Sequence, residues 1–437
     1  MYTGIYIFSE ILYYLYLSYL YIYIFIFQQY FFYLLYFSNK SYAILNSTNT
    51  AMLTCMLVVG WWSSLASSAD GTKLVAYSTD MLWFSNNSGR VWTPSSDNTG
   101  LPDFGSVSCN NIQVGEAYKG KVVSSADGSM LALSLCHGGV FTSNNGGASW
   151  TKKSNGLPKV NVSSNNAVFY LFSMYQGEPT YSSIAITPDG TKLAVAMFYD
   201  QALDSFVDSK QSKAISGIYT STDKGVSWTH PEGAGLPKDA DLYGLTMSSD
   251  GRKLAVIDKI RGVYTSTDSA ASWTQRTSNL PNVTNIIFVQ YHYDAFSSIA
   301  ASLDGTRLVV SVVYTGIYIS TDSGATWTCS RPEKLPSFGY NYPSAISMSG
   351  DGSRIAIVNK DVGGILVSNT GGSSWLNQTS SVPFNRWPCG YNTKFEQCDK
   401  WVTGTISSDG KKIFAGLNGG NIYVSSDSGT SWTAGGI

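Results

Sequence analysis

The chain has 437 residues, a formal net charge of -1 and only 13% charged residues with no basic run, which argues against nucleic acid or another polyanion as a partner. At 14% aromatic with 42 glycines and many Ser and Thr, it reads as an all-β chain of short strands and tight turns. The length suits one large repeat domain or two or three ordinary ones.

Residues 1–50 stand apart as a hydrophobic N-terminal segment. Within it, residues 11–37 (ILYYLYLSYLYIYIFIFQQYFFYLLYF) carry no charge and exceed the roughly 20 residues that cross a bilayer as a helix. Alternating Tyr and Ile are odd in a lipid-facing helix, because buried hydroxyls need partners. A secretory signal is normally shorter, with a basic residue ahead of the apolar run. Membrane anchor, unusual signal and mis-assigned start all stay open, with Met52 and Met56 as candidate starts for the last.

Residues 51–437 carry an internal repeat, the feature that decides a fold before any single motif. The octet S-x-D/N-x-G-x-S/T-W occurs seven times, as SNNSGRVW (85–92), SNNGGASW (143–150), STDKGVSW (221–228), STDSAASW (266–273), STDSGATW (320–327), SNTGGSSW (368–375) and SSDSGTSW (425–432). Each follows a D-G turn ahead of an apolar run, beginning at Asp70, Asp127, Asp189, Asp250, Asp304, Asp351 and Asp409. A Leu-Pro or Val-Pro step follows six of the octets, ending at Pro102, Pro158, Pro237, Pro281, Pro336 and Pro383. A D-G between apolar runs predicts a type I′ hairpin turn between strands A and B. The octet then predicts the loop from strand C to a short strand D starting at Trp. Seven four-stranded antiparallel units that cannot bury their faces alone predict a seven-bladed β-propeller. How such a ring closes is not visible in the sequence.

These octets resemble the Asp-box, or BNR, repeat of sialidases and related propellers, over residues of about 62 to 437. The resemblance implies a structural role: Asp223, Asp268, Asp322 and Asp427 hold their own loops, with Asn87, Asn145 and Thr370 as neutral substitutes. It also implies that Trp92, Trp150, Trp228, Trp273, Trp327, Trp375 and Trp432 pack between sheets. Asx residues favour such local side-chain to backbone bonds. Ala270 replaces the expected Gly, and a distorted loop is expected there. Neutral substitutes argue against calcium, which wants several carboxylates. Six cysteines without C-x-x-C spacing and three histidines lead us to expect no metal and no cofactor.

In an antiparallel blade the A-B and C-D turns share one face, while the B-C and D-A connections share the other. The long irregular segments therefore fall opposite the octets: 97–118, 153–182, 198–213, 276–296, 329–343 and 377–401. Binding residues collect on loops held by a rigid scaffold. These loops are aromatic and nearly uncharged, and rings with a polar tip suit a glycan or protein ligand. The candidate ligand-binding residues are Tyr170, Tyr175, Tyr291, His292, Tyr293, Tyr340, Tyr342, Arg386, Trp387 and Tyr391. Each has an alternative role in packing loops onto the blade tops. Cys389 and Cys398 bracket a ten-residue stretch, CGYNTKFEQC, where a disulfide fits an oxidising compartment.

Sialidases of the resembling family use three arginines, a Tyr/Glu pair and an acid-base Asp, and carry an Arg-Ile-Pro motif. No such motif occurs here, and only Arg261, Arg276, Arg331 and Arg386 lie away from the turn face. Asp-box xyloglucan hydrolases instead pair two carboxylates across a cleft between two propellers, as glycosidic cleavage requires. Loop acids exist (Glu116, Glu178, Asp200, Asp204, Asp208, Asp294, Glu333, Glu396), without a second propeller to face them. The sequence therefore favours a non-catalytic binding propeller, monomeric and extracellular or on the cell surface. A scaffold similar to the photosystem II assembly factors, in a plastid, is the alternative.

Overall fold

Apolar runs of four to six residues, punctuated by turns that carry Gly and Asp, form seven antiparallel sheets. The computed structural model describes residues 62–78, 81–96, 99–102, 120–135, 138–159, 181–197, 216–231, 233–281, 296–313, 315–330, 343–359, 364–378, 382, 401–417 and 420–436. All lie in a unit spanning Val58–Ile437. Blade 1 holds β1 (Trp62–Ser67), β2 (Leu74–Ser78), β3 (Leu82–Ser85) and β4 (Thr93–Pro94). Blade 2 holds β5 (Lys121–Ser124), β6 (Leu131–Leu135), β7 (Gly139–Ser143) and β8 (Thr151–Lys152). Blade 3 holds β9 (Tyr181–Ile186), β10 (Leu193–Met197) and β11 (Gly217–Ser221). Blade 4 holds β12 (Leu242–Met247), β13 (Leu254–Asp258), β14 (Gly262–Ser266) and β15 (Thr274–Arg276). Blade 5 holds β16 (Phe296–Ala301), β17 (Leu308–Val312), β18 (Gly316–Ser320) and β19 (Thr328–Ser330). Blade 6 holds β20 (Pro343–Met348), β21 (Ile355–Asn359), β22 (Gly364–Ser368) and β23 (Leu376–Asn377). Blade 7 holds β24 (Trp401–Ile406), β25 (Ile413–Leu417), β26 (Ile422–Ser425) and β27 (Thr433–Ala434).

Strands run in sequence order across each sheet, and the first strands of neighbouring blades touch in a closed circuit, β1 to β5 and so on to β24 and back to β1. The fold is a seven-bladed β-propeller without helices among the described residues. The second strand of every blade is buried along its whole length. Neighbouring blades cover both of its faces, which is why these strands read as apolar runs without alternation. The core is correspondingly seven seams between blades. Each seam carries the octet Trp of one blade against the preceding blade, as Trp150 packs on Val75, Tyr77 and Leu82, and Trp432 on Val358, Ile365 and Val367. Trp92 packs on Phe414, Ile422 and Val424, closing the ring across blades 1 and 7.

Backbone hydrogen bonds close the same ring. The residue between Ser/Thr and Asp in each D-G turn donates to its counterpart one blade on: Ala69 to Ala126, Ala126 to Pro188, Ser249 to Leu303, Leu303 to Gly350, Gly350 to Ser408 and Ser408 to Ala69. The circuit breaks once, at Pro188, which has no N–H to offer Ser249. Further out, the peptide before the Leu-Pro step accepts from the next blade's Trp N–H, as Thr99 does from Trp150, Asn155 from Trp228 and Ala234 from Trp273. Gly436 plays that part for Trp92 at 3.0 Å and pairs with Val91 as a parallel bridge. The C-terminal strand end is thus the latch of the ring.

Three local expectations need correction. The D-G turns are not type I′: Gly71 and its six counterparts have positive φ, while none of the Asp residues before them does. Gly71 N–H bonds back to Ser68 O at 3.0 Å, a type I turn followed by a left-handed Gly. The Asp side chain selects it, since Asp70 accepts from the Ser68 hydroxyl and from Thr72 N–H. Ala270 does not distort its octet; it takes φ 74° and donates to Ser266 Oγ at 3.0 Å as the glycines do. Among the described residues blade 3 shows three strands, with the single bridge Thr220–Thr229 in place of a fourth. There His230 turns in to stack on Tyr219, 4.5 Å between ring centres, and Pro231 follows, which cannot donate to a ladder.

Candidate functional site

The octet builds its loop from within. Asp223 Oδ1 accepts from Ser227 N–H at 2.9 Å and from the Ser221 hydroxyl at 2.7 Å, while Oδ2 takes the Ser227 hydroxyl. Asp268, Asp322 and Asp427 repeat this pattern. Asn87 and Asn145 accept the same N–H through Oδ1, and Thr370 through its hydroxyl. The Ser227 hydroxyl first, then its N–H, holds the Asp223 carboxyl down at about 2, and Thr326 does the same for Asp322. The first Ser of each octet is buried, and its hydroxyl accepts from the fifth residue's N–H in all seven copies. That buried Ser was legible as an invariant letter of the repeat, but its role needs the folded loop.

The octet and the D-G turn are tied to each other in every blade, by N–H donation from Ser88 to Thr72, Gly146 to Ser129, Lys224 to Thr191, Ser269 to Arg252, Ser323 to Thr306, Gly371 to Ser353 and Ser428 to Lys411. They therefore share one face. A basic residue opening the second strand reaches across the seam: Lys73 to Asp127 O, Lys192 to Asp250 O, Arg307 to Gly352 O and Lys412 to Asp70 O. On the turn face, the octets, the D-G turns and these basic side chains thus bond to one another.

At the opposite ends of its strands, blade 4 carries a cluster of charged residues. Asp258, fully buried at the end of β13, accepts from the N–H groups of Ile260 and Arg261 and from Arg261 Nη1 at 2.8 Å. Arg261 Nη2 extends to Asp239 Oδ2 at 2.9 Å. The neighbouring Lys259 has a 5% exposed side chain, 3.9 Å from Asp241 Oδ2. Its Nζ lies 5.7 Å from the ring centre of Tyr243, and Lys121 of β5 approaches the same ring at 5.2 Å. Such distances are those of cation–π contacts.

Tyr170, Tyr175, Tyr291, His292, Tyr293, Tyr340, Tyr342, Arg386, Trp387 and Tyr391 all lie outside the described residues, as do Cys389 and Cys398. Sequence reasoning passed over Lys121, Tyr243 and Lys259. A signal existed: aligned with Lys121, the other inner strands carry Ser64, Ser183, Gly244, Ser298, Ala345 and Thr403. Among the described residues, no group of three or more His, Cys, Asp or Glu side chains is placed to hold a metal. No helix among them is long and apolar enough to cross a membrane.

The architecture defines a seven-bladed propeller whose octets and D-G turns are hydrogen-bonded to one another on one face. No protein-family model matches the sequence, and no curated protein matches it. Among solved structures it is similar to YCF48 bound to D1 peptide, with a TM-score of 0.50 and 12% identity over 84% of this chain and 94% of that one. It is also similar to an ancestral GH74 enzyme, with a TM-score of 0.52 and 14% identity over 86% of this chain. This chain covers 46% of the GH74 enzyme's length. At such identities the likeness is one of fold.

Proposed function

We propose that this chain is a non-catalytic binding propeller that recognises a protein partner through the loop face opposite the octets. The observation that carries this reading is the internal bonding of the turn face: in all seven blades the octet and D-G turn are hydrogen-bonded to one another. Polar groups so paired have little left for a ligand. The strand ends that the variable segments join lie opposite the octets, and loops held by a rigid scaffold serve recognition. The likeness to YCF48, a propeller whose structure holds a D1 peptide, supports a polypeptide as the ligand and a scaffold of the assembly-factor kind. The contact residues in this proposal are Tyr170, Tyr175, Tyr291, His292, Tyr293, Tyr340, Tyr342, Arg386, Trp387 and Tyr391, with the octet Asp and Trp residues as staples. A glycan ligand is the second reading, favoured by the same aromatic loops.

Affinity capture followed by mass spectrometry, run beside a glycan array, tests the proposal. Binding of a defined polypeptide, lost in Trp387→Ala and Tyr291→Ala and kept in the turn-face variant Lys224→Ala, is the expected result. Loss of that binding in Lys224→Ala with retention in the loop variants overturns it, and a glycan signal with no polypeptide bound selects the second reading. Release of sugar from xyloglucan would favour the hydrolase class instead.

A further inference from the structure

We infer that the loop-face mouth of the central channel is a carboxylate-binding site built from Lys121, Lys259 and Tyr243; the inference rests on the loop face being the recognition surface. Its first support is topological. Lys121 opens β5 of blade 2 and Tyr243 lies in β12 of blade 4, with β9 of blade 3 between them. Inner strands ring the axis, so a contact that skips a blade runs through the channel. The Lys121 ammonium, 5.2 Å from the Tyr243 ring centre, is therefore in the lumen. Both residues also sit at the loop-face end of their strands, since the D-G turns follow the opposite ends.

The second support is a charged residue at a position where the other inner strands carry small or hydroxyl side chains. In three blades the residue aligned with Lys121 is a serine whose hydroxyl accepts an N–H from the next inner strand: Ser64 from Val122 at 3.1 Å, Ser183 from Leu245 at 3.0 Å and Ser298 from Ile346 at 3.1 Å. Lys121 replaces that hydroxyl with an ammonium, and blade 2 forgoes the bond. Tyr243 likewise stands where the other inner strands carry Ser63, Gly120, Ser182, Ser297, Ser344 and Val402. Gly244 and Ala345 forgo the same bond without bringing a charge, and a local rule broken by a charged residue is the kind of departure that functional sites show.

The third support is charge. Asp241 lies against Lys259, while Lys121 forms no ion pair among the described residues and has an aromatic face as its neighbour. A half-sheltered ammonium is best satisfied by an anion that accepts hydrogen bonds, and the Lys121 ammonium suits a carboxylate, with Lys259, already held by Asp241, beside the same ring. Lysine serves as a point charge here and sets no bidentate geometry. The source of the carboxylate is either a polypeptide's C-terminus or an acidic side chain, each of which can present a carboxylate to the Lys121 ammonium.

Isothermal titration at low ionic strength with three probes tests this: acetyl-tetraalanine with a free C-terminus, its C-terminal amide, and the amidated peptide acetyl-Ala-Ala-Asp-Ala. Binding of the free acid identifies the terminal carboxylate, binding of the Asp peptide identifies the side chain, and the neutral amide should not bind. Lys121→Ser should weaken the bound peptide at least tenfold while the melting temperature holds or rises, because serine restores the inter-strand hydroxyl. Tyr243→Phe should bind as the parent does, the ring and not the hydroxyl being in use. Failure of both carboxylate peptides at millimolar concentration, equal binding of the neutral amide, or unchanged affinity in Lys121→Ser overturns the inference. If Lys121→Ser leaves capture of the partner and peptide affinity untouched while Trp387→Ala abolishes capture, the binding propeller stands and the channel site falls.

Discussion

Substituting Gly156 with alanine isolates the contact that joins blade 2 to blade 3. Gly156 has φ 83°, and a Cβ built there lies 2.1 Å from the carbonyl oxygen of Trp228. The left-handed conformation costs alanine about 1–2 kcal/mol, of which the stiffer unfolded chain returns about 0.5–1 kcal/mol. Relieving the overlap displaces the Trp228 backbone and breaks its N–H bond to Asn155, a loss of about 1 kcal/mol. It also loosens the Trp228 ring, 4% exposed in its seam, at a fraction of the roughly 3–5 kcal/mol that full truncation of a buried aromatic costs. The sum is about 3 kcal/mol. Gly146→Ala is the control: its φ is 67°, its Cβ would meet nothing closer than 3.5 Å, and Ser88, Lys224, Ser269, Ser323 and Ser428 hold the same conformation in other octets. Strain alone predicts less than about 1 kcal/mol there. At about 2.1 cal/mol/K per residue, a unit of this size has an unfolding entropy near 0.8 kcal/mol/K. Calorimetry should therefore show a fall of about 4 °C for Gly156→Ala against about 1 °C for Gly146→Ala. Equal shifts in the two variants would refute the claim that the Gly-Leu-Pro step is a steric staple between blades.

Two further outcomes follow from the turns and the latch. Hydrogen bonds from Ser302 and Ser349 hydroxyls, first among several, hold the carboxyls of Asp304 and Asp351 at about 2, where Asp223 and Asp322 also sit. Their folded values lie below the roughly 3.9 of an unfolded chain, so the stabilisation is complete above about pH 4 and drains away as pH falls toward 2. Circular dichroism against pH should show that loss, and Asp223→Asn, which copies Asn87 and Asn145, should retain the fold with a smaller acid dependence. Deleting residues 435–437 removes the Gly436 bonds to Trp92 and Arg90, worth about 2 kcal/mol. Hydrogen exchange should then lose protection around Trp92 while Trp273 in blade 4 stays protected.

The sequence alone determined what contiguous residues can encode. The seven-fold period, the order of strands in a blade and the closing of Asp223 on its own loop all involve atoms a few residues apart, so backbone chemistry settles them without a partner. Even there, the side chain of Asp70 chose a type I turn over the one a bare D-G pair favours, because its carboxylate reaches Ser68 and Thr72. The tertiary structure decided everything that passes between repeats. That Gly436 meets Val91, that Lys412 caps Asp70 and that Lys121 crosses the channel to Tyr243 depend on seven blades closing with one particular curvature. A repeat specifies its own loop and the seam to its neighbour in each copy. The number of copies that completes a circle, and hence which distant residues face one another across the axis, is a property of the closed ring.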